Sequence, residues 1–287
     1  MKFKNKFTYT FRCIDINIIL HSLIQNYCYK NNQKLYGCFV DFSKAFDTIP
    51  RGLLLKKLLN HGITGKVFNV LKTMYTNDST CIKVGDKITN SFRVNQGVKQ
   101  GCVLSPLLFN IFLSDFPETL LNLDCKPVRL TNANTIGCIA WADDIVLLSE
   151  SNEGLQNMLS KLNEYASKNH MEINCKKTEG MIFNKTGRFI RTVYKLGDKL
   201  IHTTNSYKYL GFLMTPSGVI SHGLVDLKNR ATRAYYKLKQ KLGYFFRRNI
   251  DVTLKLYNAL VRPILLYASD YWGCLKLPKK QQLKLRI

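Results

Sequence analysis

The sequence predicts an α+β fold, and three observations carry that expectation. Apolar runs of strand length, bordered by polar residues, recur through the first two-thirds of the chain. Between them lie segments whose apolar residues repeat at helical spacing. Beyond about residue 215 the strand patterns cease and amphipathic helices take over. With 287 residues, 46% of them hydrophobic, the chain can bury one large core or two smaller ones.

The first helix is predicted where Ile16, Ile19, Leu20, Leu23, Ile24 and Tyr27 make one apolar face, with Asp15 as a candidate N-cap and Asn31-Asn32-Gln33 as its end. Leu35 to Val40 reads as a strand with Asp41 at its end. A charged residue there is either a strand-end cap or a functional group. Asp47 precedes Thr48, Pro50 and a helical run, and reads as a structural cap. Helices follow over about 51–60 and 65–76. Cys81 to Ile88 reads as a hairpin around Gly85-Asp86.

Gly97 and Gly101 bracket a polar loop whose backbone could approach a ligand, or merely turn before a core helix. Ser105 is a candidate N-cap and Pro106 a first helical residue. Leu107, Leu108, Ile111, Phe112 and Phe116 would form a buried helix. Next come two apolar runs, Ile139 to Ala142 and Ile145 to Leu148, with Asp143 and Asp144 at the turn between them. Two adjacent carboxylates repel, so they require solvent, a cationic partner or a metal.

Gly154 to Lys168 is an amphipathic helix. Met171 to Asn174 and Gly180 to Phe183 read as short strands, Val193 to Ile201 as a hairpin and Tyr207 to Phe212 as one more strand. Leu224 to Leu242 is a long helix with an apolar face and a separate line of Arg230, Arg233, Lys237 and Lys241. No acidic residue occurs between Leu227 and Ile250, so this line reads as a phosphate track rather than a merely solvated face. Val252 to Leu266 is the last helix.

Charge points the same way. Lys+Arg number 43 against 19 Asp+Glu, a net +24 that suits a polyanion, with an anionic membrane as the rival partner. The excess is +7 over residues 1–150 and +17 over 151–287. No run is long and apolar enough to span a membrane, and no signal peptide is recognisable. The nine cysteines and five histidines show no zinc-ligand spacing or disulfide framework, which suits a reducing, intracellular compartment.

Several stretches carry a family likeness, in order. They are Phe39-Val40-Asp41-Phe42-Ser43-Lys44-Ala45-Phe46-Asp47, Gly97 through Asn110, Trp141-Ala142-Asp143-Asp144, Asn174-Cys175-Lys176-Lys177-Thr178, Tyr209-Leu210-Gly211, and Tyr267 to Gly273. The ordered set resembles the reverse transcriptase domain of non-LTR (LINE-type) retrotransposons, from about residue 12 to 273. The resemblance implies a right-hand polymerase palm, an antiparallel sheet backed by helices, over 36–215. A helical thumb would occupy 216–287, and 1–35 would be a remnant of the fingers or connection helix.

It also implies roles. Asp41, Asp143 and Asp144, with the Phe42 carbonyl, would hold two Mg²⁺ ions about 3.5–4 Å apart, Mn²⁺ being a possible substitute. Phe46 would select deoxynucleotides. Gln100 and Gly101 would line the nucleotide and template site. Lys177, with Lys176 as the alternative, would donate a proton to pyrophosphate. Tyr209, Leu210 and Gly211 would grip the primer end, and the basic line of the thumb would follow the backbone of the duplex. RNA template, DNA primer and deoxynucleoside triphosphates are the implied partners, without a membrane, and the nucleus is the implied place if synthesis is target-primed. Trp141 stands where Tyr or Phe is commoner, and Val103 where many relatives have Pro. Only about forty residues precede Asp41, so the fingers are expected to be truncated. The alternative is an inactive remnant that at most binds nucleic acid.

Overall fold

In the computed structural model, described for residues 12–76, 78–130 and 134–273, most of the strand-length runs become strands. Four of them form the main sheet, in the order 179–183, 35–40, 144–149, 138–141. Leu35–Val40 pairs antiparallel with Asp144–Ser149, from Tyr36 opposite Ser149 to Val40 opposite Ile145. Asp144–Ser149 pairs antiparallel with Cys138–Trp141, and Trp141 stands opposite Asp144. The turn between these two strands is therefore just Ala142 and Asp143.

The chain divides into two compact units. The first comprises Tyr36–Gly180 and Arg191–Thr203. Its core joins Cys38, Val40, Ile145 and Leu147 of the sheet to Leu54 and Leu58, to Phe109 and Phe112, and to Leu155, Leu159 and Leu162. The last three lie on the Asn152–Lys168 helix, whose N-cap Ser151 accepts from the Gly154 N–H. A helix with apolar residues on one stripe has to bury that stripe, and here the sheet offers the matching surface. The Arg51–Asn60 and Gly65–Thr76 helices and the 83–84/87–88 hairpin stand where the sequence predicts them.

The second unit gathers 12–35, Met181–Ile190 and 204–273. Its longest helix is Ile220–Leu242, and Cys13–Ile24 and Ile250–Leu260 come next. Ala231, Leu238 and Val261 form a small core with Tyr235, Leu256, Tyr257 and Leu265 around them. These units cut across the segments 1–35, 36–215 and 216–287, because 12–35, 181–190 and 204–215 all cluster with the helical end.

Several local expectations are corrected. Asp15 is the third residue of the Cys13–Ile24 helix, accepting from the Arg12 N–H at 2.7 Å, and Arg12 is the N-cap. The helix then widens into a π-helical stretch over Gln25–Lys30. Ser105 is the first helical residue after Leu104, and its hydroxyl donates to the Lys99 carbonyl instead. That helix stops at Leu113, a separate turn begins at Phe116, and Leu107 is exposed. Of Met171 to Asn174 only Ile173 forms a bridge, to Phe42. Tyr207 to Phe212 is a hairpin, Tyr207–Tyr209 against Phe212–Met214, turning at Leu210-Gly211 with φ of 44° and 78°. The last helix breaks at Val261, because Pro263 has no N–H to continue the ladder. The eight described cysteines are unbridged. No described helix is long and apolar enough to cross a membrane. Residues 274–287 lie outside the described set.

Candidate active site

The carboxylates meet because of strand register. Val40 lies opposite Ile145, so the next residue of the first strand, Asp41, falls beside Asp144 across an antiparallel pair. Asp143 follows Ala142, whose backbone is left-handed at φ 50°. A second non-glycine residue, Lys44 at φ 50°, closes the turn after Asp41. Such conformations cost about 1–2 kcal/mol each for an L-residue, and they cluster here on both sides of the acidic group.

The Asn174–Thr178 turn is stitched to the same strand end. The Asn174 N–H donates to the Asp41 carbonyl at 2.8 Å, and the Asp41 N–H donates to the Thr178 hydroxyl at 3.2 Å. This turn carries Lys177, whose Nζ stands 3.7 Å from Asp41 Oδ2. Local sequence does not mark Thr178 and Asn174 as anchors of Asp41. Their partner lies more than a hundred residues away, and only their place beside the lysine pair hinted at them.

A cavity of about 450 Å³ opens over this group. It is lined by Asp41, Asp143 and Lys177, by Phe42 to Phe46, and by Gln100 and Asn174. That is a usual size for a small-molecule site. Phe46 stacks on Phe109 with ring centroids 5.0 Å apart. Gln100 donates to Asp47 Oδ1 at 2.8 Å. Asp47 lies within the short Ala45–Thr48 helix, holding Gln100 beside the cavity, and is not the helix cap predicted for it; the residue before the Arg51–Asn60 helix is Pro50. Gly101 is exposed at φ 80°, with open space where a side chain would stand.

Electrostatics distinguish Asp144 from its neighbours. Burial, and then repulsion from Asp143 and Asp41, push its carboxyl up to about 6. Among the described residues no group of three Asp, Glu, His or Cys side chains is gathered closely enough to hold an ion as it stands. Like charges favour such a spread, and the Lys177 ammonium draws Asp41 towards itself. The donor set nevertheless fits a hard divalent cation in kind. It offers hard oxygens, and burial, then the other two carboxylates, already disfavour Asp144 as an anion.

In the second unit the predicted primer-grip residues form the hairpin tip at Leu210-Gly211. The Tyr267 hydroxyl donates to the Leu210 carbonyl, and Arg230 Nη1 donates to the Gly211 carbonyl at 3.1 Å. A side chain on Gly211 would meet the Tyr267 hydroxyl oxygen at 2.9 Å. Arg230 also stands 3.7 Å from Asp226 Oδ2. It is thus engaged inside the unit, while Arg233, Lys237 and Lys241 of the same line are exposed.

The family model described as reverse transcriptase (RNA-dependent DNA polymerase) matches residues 5–214. The RNA-directed DNA polymerase from the mobile element jockey of Drosophila funebris is 26% identical over 243 residues, covering 83% of this chain and 26% of that protein. The Pol polyprotein from the type-1 retrotransposable element R2 of Popillia japonica is 30% identical over 203 residues, covering 66% and 32%. The chain thus spans roughly a quarter to a third of the length of such relatives. Among solved structures, apo telomerase from Candida tropicalis aligns with a TM-score of 0.52 at 12% identity, over 95% of this chain and 48% of that one. At that identity the likeness speaks for the fold alone, a right-hand polymerase.

Proposed function

Because the chain belongs to the reverse transcriptase (RNA-dependent DNA polymerase) family, we propose that it acts as an RNA-directed DNA polymerase domain of a non-LTR retrotransposon, adding deoxynucleotides to a primer 3′-hydroxyl. One observation supports the reading: strand register brings Asp41, Asp143 and Asp144 to adjacent strand ends, Asp41 and Asp143 lining a cavity of about 450 Å³, and Asp144 is held up to about 6.

Divalent ions are general to the family. Mg²⁺ is the natural choice here, with Mn²⁺ as a substitute, because the ligands are hard oxygens and the substrate brings phosphate. Bound ions would activate the 3′-hydroxyl and neutralise charge on the triphosphate and the leaving pyrophosphate. The chain's own residues do the rest. Asp41, Asp143, Asp144 and the Phe42 carbonyl supply ligands. Phe46 closes the floor under the sugar, so that a ribose 2′-hydroxyl meets the ring. Gln100 and Gly101 line the nucleotide and template side. Lys177 donates a proton to the pyrophosphate oxygen. Nucleotidyl transfer needs little beyond such positioning and charge neutralisation.

The second unit supplies the grip on nucleic acid in the same proposal. Tyr209, Leu210 and Gly211 form a stiff hairpin tip for the primer end. Arg233, Lys237 and Lys241 follow the duplex backbone, which suits an A-form hybrid recognised by shape and phosphates. Arg230 contributes by fixing the Gly211 carbonyl. Residues 36–215 would serve as palm and 216–287 as thumb, with nuclear action if synthesis is target-primed.

Primer extension on poly(rA)/oligo(dT) with Mg²⁺ tests this, comparing the chain with Asp143→Asn. Extension by the first and not the second is expected. If both bind the primer-template and neither extends it, the polymerase reading fails and the chain is a binding remnant.

A further inference from the structure

Arg51 is the first residue of its helix, directly after Pro50. A cation there opposes the helix dipole, so the position calls for another reason. Its burial sharpens the question, at 7% relative exposure. Nε donates to the Gly97 carbonyl at 2.8 Å. Nη1 donates to the carbonyls of Tyr75, at 2.9 Å, and of Val94. Nη2 meets Asp78 Oδ2 at 2.8 Å. The other oxygen of Asp78 takes Lys99 Nζ at 2.9 Å. Lys99, and after it Arg51, hold the Asp78 carboxyl below its usual range.

Three of these contacts fall on the segment that carries Gln100: at Val94, at Gly97 and, through Asp78, at Lys99. The inner side of that segment is joined to 46–50. The Val98 N–H donates to the Phe46 carbonyl at 2.7 Å and the Gly97 N–H to the Ile49 carbonyl at 2.8 Å. Pro50 bridges Gln96. Gln100 reaches Asp47 at 2.8 Å. Phe46 and Gln100, both lining the carboxylate cavity, therefore ride on one piece, and Arg51 fastens that piece to the end of the Gly65–Thr76 helix.

We infer that Arg51 is a positioning residue for the incoming nucleotide, fixing Phe46 and Gln100 in the cavity wall through the Gly97 carbonyl and the Asp78–Lys99 pair. This deepens the polymerase reading and rests on it. Only a planar fork can serve three carbonyls and a carboxylate at once. An ammonium is a single point of charge with no such geometry.

The test is steady-state extension by the full chain on poly(rA)/oligo(dT), comparing wild type, Arg51→Lys and Lys99→Met, with melting curves for each. Arg51→Lys should raise KM for the deoxynucleotide on the order of tenfold to a hundredfold and lower kcat by less than about threefold. It should also narrow the preference for deoxynucleotide over ribonucleotide, because Phe46 moves with the loop. Lys99→Met leaves the Arg51 bonds in place and should raise KM by roughly a few-fold, with a melting midpoint lowered by only about 1–3 °C for the lost half-exposed ion pair. If Arg51→Lys does not fold, Lys99→Met alone decides. Folded variants with unchanged KM and unchanged sugar preference overturn the inference, as does a fall in kcat with neither altered. A wild-type chain that extends nothing overturns the polymerase reading itself, and this inference with it.

Discussion

Replacing Asp144 by Asn should stabilise the protein in the absence of divalent ions, even though it removes a residue on which the proposed reaction depends. Burial, Asp143 and Asp41 lift the Asp144 carboxyl from 3.8 to about 6. A folded-state value above the unfolded one means that the fold holds the proton more tightly than the unfolded chain does. Ionising Asp144 therefore works against the fold. The penalty is absent below about pH 4, grows as the pH rises towards 6 and is full above that. Two units correspond to a ceiling of about 3 kcal/mol. Asp144 keeps part of its surface in solvent, and screening brings the figure down to about 1–2 kcal/mol.

Thermal melts in EDTA check this. At pH 7.5 the variant should melt about 2–6 °C above wild type. At pH 4 the advantage should vanish, because Asp144 is then protonated in both states. Adding Mg²⁺ at pH 7.5 should raise the wild-type midpoint more than that of the variant and narrow the gap. A variant that melts below wild type in EDTA at pH 7.5, or a difference that ignores pH, would refute the electrostatic reasoning.

Two further outcomes follow from geometry. Gly97→Ala places a Cβ 2.7 Å from the Asp47 carbonyl oxygen at a backbone φ of 79°, and should lower stability by about 2–4 kcal/mol in urea titration. Gly101→Ala has nearly the same φ and open space around it, so about 1–2 kcal/mol is expected, and equal losses at the two positions would refute the close approach at Gly97. Replacing Arg233, Lys237 and Lys241 together by Gln should make the dependence of log affinity on log salt shallower by about 2–3 for a primer-template, and an unchanged slope would remove them from the phosphate track.

What the sequence made legible was local. Leu35 to Val40, the 51–60 and 65–76 helices and the hairpins at Gly85 and Gly197 are specified by periodicity and turn residues within a dozen positions. Asp41 and the Asp143-Asp144 pair could be read as a site because each sits at a strand end. What stayed hidden depended on partners far along the chain. Nothing near Arg51 announces the carbonyls of Tyr75, Val94 and Gly97. Asp47 reads as a cap because its hydrogen-bond partner, Gln100, is distant in sequence. The 207–214 hairpin was masked by Leu210, an unusual residue for a left-handed turn position. Arg230 carries the same spacing signal as Arg233, and only its neighbours Asp226 and Gly211 distinguish the two.

The contact between Lys177 and Asp41 would make the proposed cation binding at this carboxylate an exchange rather than an addition. The ammonium and an incoming divalent ion compete for the same oxygen. Because Lys177 is 69% exposed, giving up that oxygen costs it about 1 kcal/mol or less. The displaced side chain is anchored at its base by Thr178 and Asn174, so it keeps its place at the mouth of the cavity with its charge released. On the proposed mechanism, arrival of an ion and availability of Lys177 would be a single event, the lysine being freed to act as proton donor only once the carboxylates are neutralised.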